Sequence, residues 1–205
     1  MSDASRWVPA RPTLRRLAEA APSCRGCELW EPATQVVFGD GARDAGMVLV
    51  GEQPGDQEDR AGEPFVGPAG KLLDDALAEA GIARETAYLT NAVKHFRFEQ
   101  RGKRRIHQKP DVSHMVACHP WLEAELAVVG PEVVVALGAT AGRAVLGRTV
   151  KVGAERGRPI ARDDGPPVVL TTHPSAVLRL RGKDGFGDAF AGLVDDLRAA
   201  HELLG

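Results

Sequence analysis

What this chain lacks narrows its possibilities first. No apolar run approaches the ~18 residues that a membrane-spanning helix needs, so no membrane partner is expected. Residues 1–16 are polar and include Asp3, Arg6 and Arg11, which is no secretory leader, and a cytoplasmic location is the expectation. Cysteine is confined to Cys24, Cys27 and Cys118, which argues against a disulfide framework. Aromatic residues make up only 5 %. An excess of one charge is also missing. The net is -2, so any binding to a polyanion has to come from a local patch.

What is present fits one ordinary domain across 1–205, with 43 % hydrophobic residues and length enough for a proper core; a monomer is expected. Four short runs rich in β-branched residues, 47–50, 87–90, 133–137 and 168–171, read as strands buried on both faces. Helical patterns separate them. Within 71–80, Leu73, Ala76, Leu77 and Ala80 recur at i, i+3, i+4 and i+7, with Pro68 near the start and Gly81 at the end. Further helices are predicted at 112–129, 139–146 and 188–204, and a short one near 14–20. The alternation predicts an α/β fold, a three-layer α/β/α sandwich around a small four-stranded, mostly parallel sheet. Such sheets bind ligands beyond the carboxyl ends of their strands. That rim would gather 51–59, 91–98, 138–139 and 173–175.

Chemistry-bearing residues fall on the expected rim. Gly51 and Gly55 allow a tight turn with backbone close to a ligand, and Glu52, Gln53 and Asp56 put carboxylates and an amide in it. Phe65 sits in the Gly/Pro-rich stretch 62–70, where it could stack on a planar base or plug the core. Asn91, at a strand end, offers a donor and an acceptor, the pair that reads uracil and mismatches cytosine. His173, followed by Pro174 and Ser175, could donate to a developing anion or simply cap backbone at a helix entry.

A basic stretch is the remaining feature. Lys94, Arg97, Arg101, Lys103, Arg104, Arg105 and Lys109 crowd together with Glu99 as their one acid. This is either a solvated loop or a phosphate-binding patch. His107 ends the run Lys103, Arg104, Arg105, Ile106, His107, and a neutral imidazole there is a potential nucleophile. On these residues alone, a non-catalytic nucleic-acid-binding module with a structural metal site stays open.

In combination and order, these residues resemble the uracil-DNA glycosylase superfamily, specifically its iron–sulfur group, family 4. Residues 51–55 match the G-E-x-P-G first motif, 62–70 the base-stacking segment, Asn91 in Thr90-Asn91-Ala92-Val93-Lys94 the base-reading motif, and His173-Pro174-Ser175 the last motif. The resemblance spans about 24–197. It implies uracil-containing DNA as partner and a 4Fe–4S cluster on Cys24, Cys27, Cys118 and, where the family has a cysteine, His95. An imidazole ligand should raise the cluster's potential. His114 or His119 as fourth donor and zinc as the metal are alternatives.

The stretch between His95 and Cys118 is longer than usual for the group, and 100–110 form an inserted basic loop. That loop matches the K-R-R-I-H segment of the X-type branch, UdgX, whose G-E-Q-P-G-D motif is matched at 51–56. The branch implies excision of uracil, single strands favoured, followed by covalent capture of the abasic sugar on His107 and hence a single turnover. In that scheme Phe65 stacks on the base, Asn91 reads its edge and His173 bonds uracil O2. Gln53 and Asp56 line the pocket, and Glu52 takes the proton from His107. Gly51 and Ser175 also contact substrate, and Lys103, Arg104 and Arg105 fix the loop or hold phosphate. Glu58 is a candidate for excluding thymine. The alternative is a conventional multi-turnover family 4 enzyme in which His107 only touches phosphate.

Overall fold

A computed structural model describes residues 3–205; the expected domain also takes in Met1 and Ser2, which lie outside the described residues. In chain order the elements are α1 (Leu14–Ala20), β1 (Asp40–Gly41), β2 (Met47–Gly51), α2 (Asp56–Ala61), α3 (Pro68–Glu79) and β3 (Ala87–Asn91). Then come β4 (Phe98–Arg101), β5 (Arg104–His107), α4 (Val112–Val129), β6 (Val133–Leu137) and α5 (Gly138–Leu146). The chain ends with α6 (Val152–Glu155), β7 (Pro159–Ile160), β8 (Val168–Thr171), α7 (Pro174–Leu178) and α8 (Phe186–His201).

The main sheet runs β1-β3-β2-β6-β8-β7. Its four inner strands are parallel and are the four expected from the sequence. Two-residue antiparallel edges, β1 and β7, widen it to six strands where four were expected. Every residue of β2, β3, β6 and β8 is buried, and alternate side chains enter opposite cores. Met47, Leu49, Val133, Val135 and Leu137 pack under α3 and α8 through Leu72, Leu73, Leu77, Leu193 and Leu197. Val48, Val50, Val134 and Ala136 pack under α4 and α5 through Leu122, Leu126, Ala141 and Val145. This is the three-layer sandwich expected. A third core seats the N-terminal segment and α1 on α4, with Ala4, Leu17, Ala21, Leu29 and Phe38 around Trp121 and Met115.

The inserted segment is no loop. β4 and β5 form a separate two-stranded antiparallel hairpin, with Arg101 opposite Arg104 and Phe98 opposite His107. Gly102 takes φ 58 in the two-residue turn, which closes such hairpins without splaying the strands. The carboxyl ends of β2 and β3 meet at Gly51 and Asn91, and those of β6 and β8 at Leu137 and Thr171. The rim stands there, and the hairpin leans beside it.

Candidate active site

A cavity of about 310 Å³ opens at this rim, lined by residues that include Glu52, Gln53, Phe65, Asn91, His107, His173 and Ser175. Its floor depends on absent side chains. A Cβ on Gly51 would stand 2.3 Å from Asn91 Oδ1 and 2.7 Å from Phe65 Cζ, so only glycine lets both close on the pocket. Phe65 is buried and holds a left-handed backbone with φ 56, a strained state for an aromatic residue. Its neighbours enforce it. A Cβ on Gly70 would meet Phe65 O at 1.8 Å, and Glu58 accepts from Gly55 N at 3.1 Å and Gly67 N at 2.8 Å, shaping the loop that carries the ring. Asn91 is buried, and no protein hydrogen bond occupies its side-chain amide among the described residues, which leaves both ends for a ligand.

His173 sits at the N-cap of α7. Ser175 N donates to its Nδ1 at 3.1 Å, so the neutral ring carries its proton on Nε2. Burial, with smaller contributions from His107 and Arg179, holds its pKa down at about 4. The group is therefore a neutral hydrogen-bond donor at neutral pH, suited to an oxyanion and free of the desolvation cost of a buried cation. Across the cavity Thr140 donates to Glu52 Oε2, and Glu52 Oε1 lies 3.5 Å from His107 Nε2. The His107 side chain is 50 % exposed, with its ring 6.0 Å from that of Phe96.

The hairpin that carries His107 is fastened from below. Gln53 donates to Arg97 O at 3.2 Å and Gln108 O at 3.0 Å and accepts from Arg97 N at 3.1 Å. It lines the cavity, but its amide is spent on the hairpin's neck. Arg105 reaches Asp56 and bonds Asp59 Oδ2 at 2.6 Å, Thr34 Oγ1 at 2.9 Å and Asp56 O at 3.2 Å. Its guanidinium stands 5.4 and 5.0 Å from the rings of Phe96 and Phe98. At 10 % exposure Arg105 is a rivet for the hairpin and no phosphate contact. Asp56 is corrected too. It does not line the cavity, and its carboxylate pairs with Arg105 and, at 2.9 Å, with Arg60. Lys103 and Arg104 remain exposed at the hairpin tip.

The basic patch shrinks accordingly. Lys94 is buried against Glu125, and Arg97 bonds Asp111 at 2.8 Å and Lys109 O at 2.6 Å. Lys109, of the basic stretch, lines the cavity, as do Thr140 and Arg179, which sequence reasoning did not single out. The signal for Thr140 was its place one residue past the rim segment at 138–139.

Cys24, Cys27, His95 and Cys118, from distant parts of the chain, line one small cavity together with Trp121 and Lys94. Trp121 Nε1 donates to Cys24 Sγ at 3.3 Å, and Lys94 N to Cys118 Sγ at 3.3 Å. Burial holds His95 at a pKa of about 4, so the ring is a neutral donor. Three soft sulfurs and an imidazole, two of the sulfurs already receiving N–H bonds, suit an iron–sulfur cluster by donor type. Among the described residues no three His, Cys, Asp or Glu side chains are gathered as ligands of one metal ion. His114 is engaged elsewhere, with Asp111 N at 2.9 Å and Glu28 at 2.6 Å, and His119 faces Glu123 at 3.5 Å.

The family model described as the uracil DNA glycosylase superfamily matches residues 38–198. A type-4 uracil-DNA glycosylase of Thermotoga maritima is 40 % identical over 169 residues, which cover 82 % of this chain and 84 % of that protein. Another, of Pyrobaculum aerophilum, is 35 % identical over 180 residues, covering 83 % of this chain and 88 % of that protein.

Proposed function

Because the chain belongs to the uracil-DNA glycosylase superfamily, we propose that it excises uracil from DNA and then keeps the abasic sugar, bonded to His107, as a single-turnover protein of the X-type branch. The observation that carries this reading is the 3.5 Å approach of His107 Nε2 to Glu52 Oε1 at the mouth of the base-sized cavity.

The target nucleotide enters unpaired, from a single strand or flipped from a duplex. Phe65 stacks on the base and Asn91 bonds its edge. The N1–C1′ bond breaks with its electron pair going to uracil, whose O2 receives the Nε2 proton of His173 in a hydrogen bond. The deoxyribose left behind carries positive charge spread over C1′ and the ring oxygen. In a hydrolase, water takes that position. Here an imidazole nitrogen of His107 donates its lone pair to C1′. The ring becomes cationic and passes its remaining proton to Glu52, which Thr140 holds in place. Uracil anion takes a proton from solvent. The resulting N-glycosyl imidazole has a poor leaving group, so water does not release it. Lys103 and Arg104, exposed at the tip, are placed for phosphate, whereas Arg105 is not.

Cys24, Cys27, His95 and Cys118 would hold a 4Fe–4S cluster, which when bound supplies a rigid tie among the N-terminal segment, the turn after β3 and α4. Three sulfurs among the four donors favour a cluster by donor type, and zinc on the same four residues is the alternative. The reading also takes the chain as a single-domain monomer of the cytoplasm, where cysteines stay reduced for metal ligation.

The test is incubation with a uracil-containing single-stranded oligonucleotide, followed by boiling in detergent and gel electrophoresis. One equivalent of a slowly migrating protein–DNA band is expected, and His107→Ser should instead release abasic DNA. Turnover beyond one equivalent without a band would establish the conventional multi-turnover enzyme.

A further inference from the structure

Residues 91–94 touch both the cavity and the cysteine site. Ala92 N donates to Gly51 O at 2.9 Å and Val93 N to Glu52 O at 3.1 Å, so the turn is sewn to the loop that carries Glu52. At its far end Lys94 N donates to Cys118 Sγ at 3.3 Å. Between these ends the Lys94 side chain folds back over its own turn. Nζ donates to Asn91 O at 2.8 Å, to Thr90 Oγ1 at 2.6 Å and to the Glu125 carboxylate. Glu125 in turn accepts from Tyr88 and Thr90 hydroxyls at 2.9 Å each. Cys118 and Glu125 lie on one face of α4, two turns apart.

The pair is 1 % and 0 % exposed. A buried ion pair is poor as a source of stability, because desolvating two charges offsets most of their attraction and apolar replacements often serve the core as well. What the charges do provide here is direction. Among the described residues no hydrogen bond holds the Asn91 side-chain amide, so its place in the cavity depends on where the backbone sets it and on its packing against Gly51. Lys94 grips that backbone at Asn91 O, and its own N–H grips the sulfur of Cys118.

We propose that Lys94, oriented by Glu125, is a positioning residue that joins the metal site to Asn91, so that the arrangement about Cys118 sets the placement of the base-reading amide. This rests on the reading of the cavity as a uracil site. Disturbance at Cys118, on the far side of the turn, would then reach the base through Lys94 and the Glu125 carboxylate that orients it.

The test replaces both charges at once, Lys94→Met with Glu125→Leu, so that neither is left alone in the core. The first-order rate of adduct formation at saturating uracil-DNA should fall about tenfold, with the half-saturating DNA concentration unchanged. The Asn91 side-chain amide resonance of the DNA-free protein should shift. In an Asn91→Ala background the same pair of substitutions should have no further effect, because they act through Asn91. Rate losses that multiply with that of Asn91→Ala, or an unchanged rate in the otherwise wild-type protein, would overturn the proposal. If the double variant does not fold, Cys118→Ser carries the same comparison: non-additivity with Asn91→Ala supports the link and additivity refutes it. A wild-type protein that neither excises uracil nor forms an adduct would remove the uracil reading itself, an outcome distinct from an additive cycle in a working protein.

Discussion

Arg105 gives the sharpest way to separate uracil excision from sugar capture. Its guanidinium binds Asp56, Asp59 and Thr34 and is flanked by the rings of Phe96 and Phe98. Truncation to alanine leaves Asp59, which is fully buried, with only the backbone N–H of Thr34 at 3.1 Å. Breaking a buried pair on one side costs about 3–5 kcal/mol. The lower end applies, since Asp56 is part-exposed and keeps Arg60. About 3 kcal/mol is on the order of a 100-fold change in an equilibrium constant. A hairpin docked roughly 99 % of the time would then be docked roughly half the time. Gln53 still clamps its neck, so the hairpin swings without leaving.

On the proposed reading, cleavage of the base uses Phe65, Asn91 and His173, none of which is on the hairpin, whereas capture needs His107 beside C1′. Arg105→Ala should therefore keep most of its uracil excision while water competes for the sugar. Adduct should fall and released abasic DNA should rise. Arg105→Lys, which keeps the charge but loses the fork, should lie between. Excision is read by alkaline cleavage of the oligonucleotide, and adduct by a denaturing protein gel. An unchanged adduct yield, or excision and adduct lost in equal proportion, would refute the rivet as the device that delivers His107.

Three further outcomes are expected. Thr140→Val keeps the cavity's shape but frees Glu52 Oε2; losing one hydrogen bond to a carboxylate, about 1.5 kcal/mol, should slow adduct formation about tenfold in rapid-quench measurements, and an unchanged rate would deny Glu52 its role. His173 has a folded pKa of about 4 against an ordinary 6.5, so the unfolded chain binds more protons between those values and stability drops as pH falls through that window. His173→Asn should flatten part of this slope in denaturant titrations at pH 7.5 and pH 5, and parallel slopes would sink the assignment. Purified protein should carry iron and acid-labile sulfide with visible absorption, and Cys118→Ala should lose them; stoichiometric zinc without sulfide would replace the cluster with a mononuclear site.

The sheet was legible because its inner strands are short, continuous and β-branched, the pattern of burial on both faces. β1 and β7 were not, since two residues carry no period. The hairpin was hidden by its own charges. Phe98 and Ile106 are its sparse apolar residues, too few to show alternation, although Gly102 and Lys103 form a recognisable turn. Arg105 and Lys94 were counted among cations available to phosphate because their partners are remote in sequence: Asp59 in one case, Glu125 in the other. Charge identifies what a residue needs, and only tertiary structure says who supplies it. The cysteine pair, His95 and Cys118 were legible as a motif, and the fold brings them to one cavity.

The loop from Gly51 to Asp56 divides its labour in a way that bears on how capture is controlled. Glu52 faces His107, while its neighbours Gln53 and Asp56 turn toward the hairpin that carries His107. The nucleophile and its carboxylate are thus referenced to one short piece of backbone, and the rest of the hairpin is free to differ. Lengthening the tip by a glycine between Gly102 and Lys103 should spare adduct formation, because Arg105 and His107 keep their anchors. Gln53→Ala should impair it, although among the described residues the lost atoms hydrogen-bond neither Glu52 nor His107, because the neck at Arg97 and Gln108 loses its three amide bonds. Measured side by side with the same uracil oligonucleotide, the opposite ordering would place control of capture at the tip, with Lys103 and Arg104 and their phosphate contacts, and away from the loop beneath.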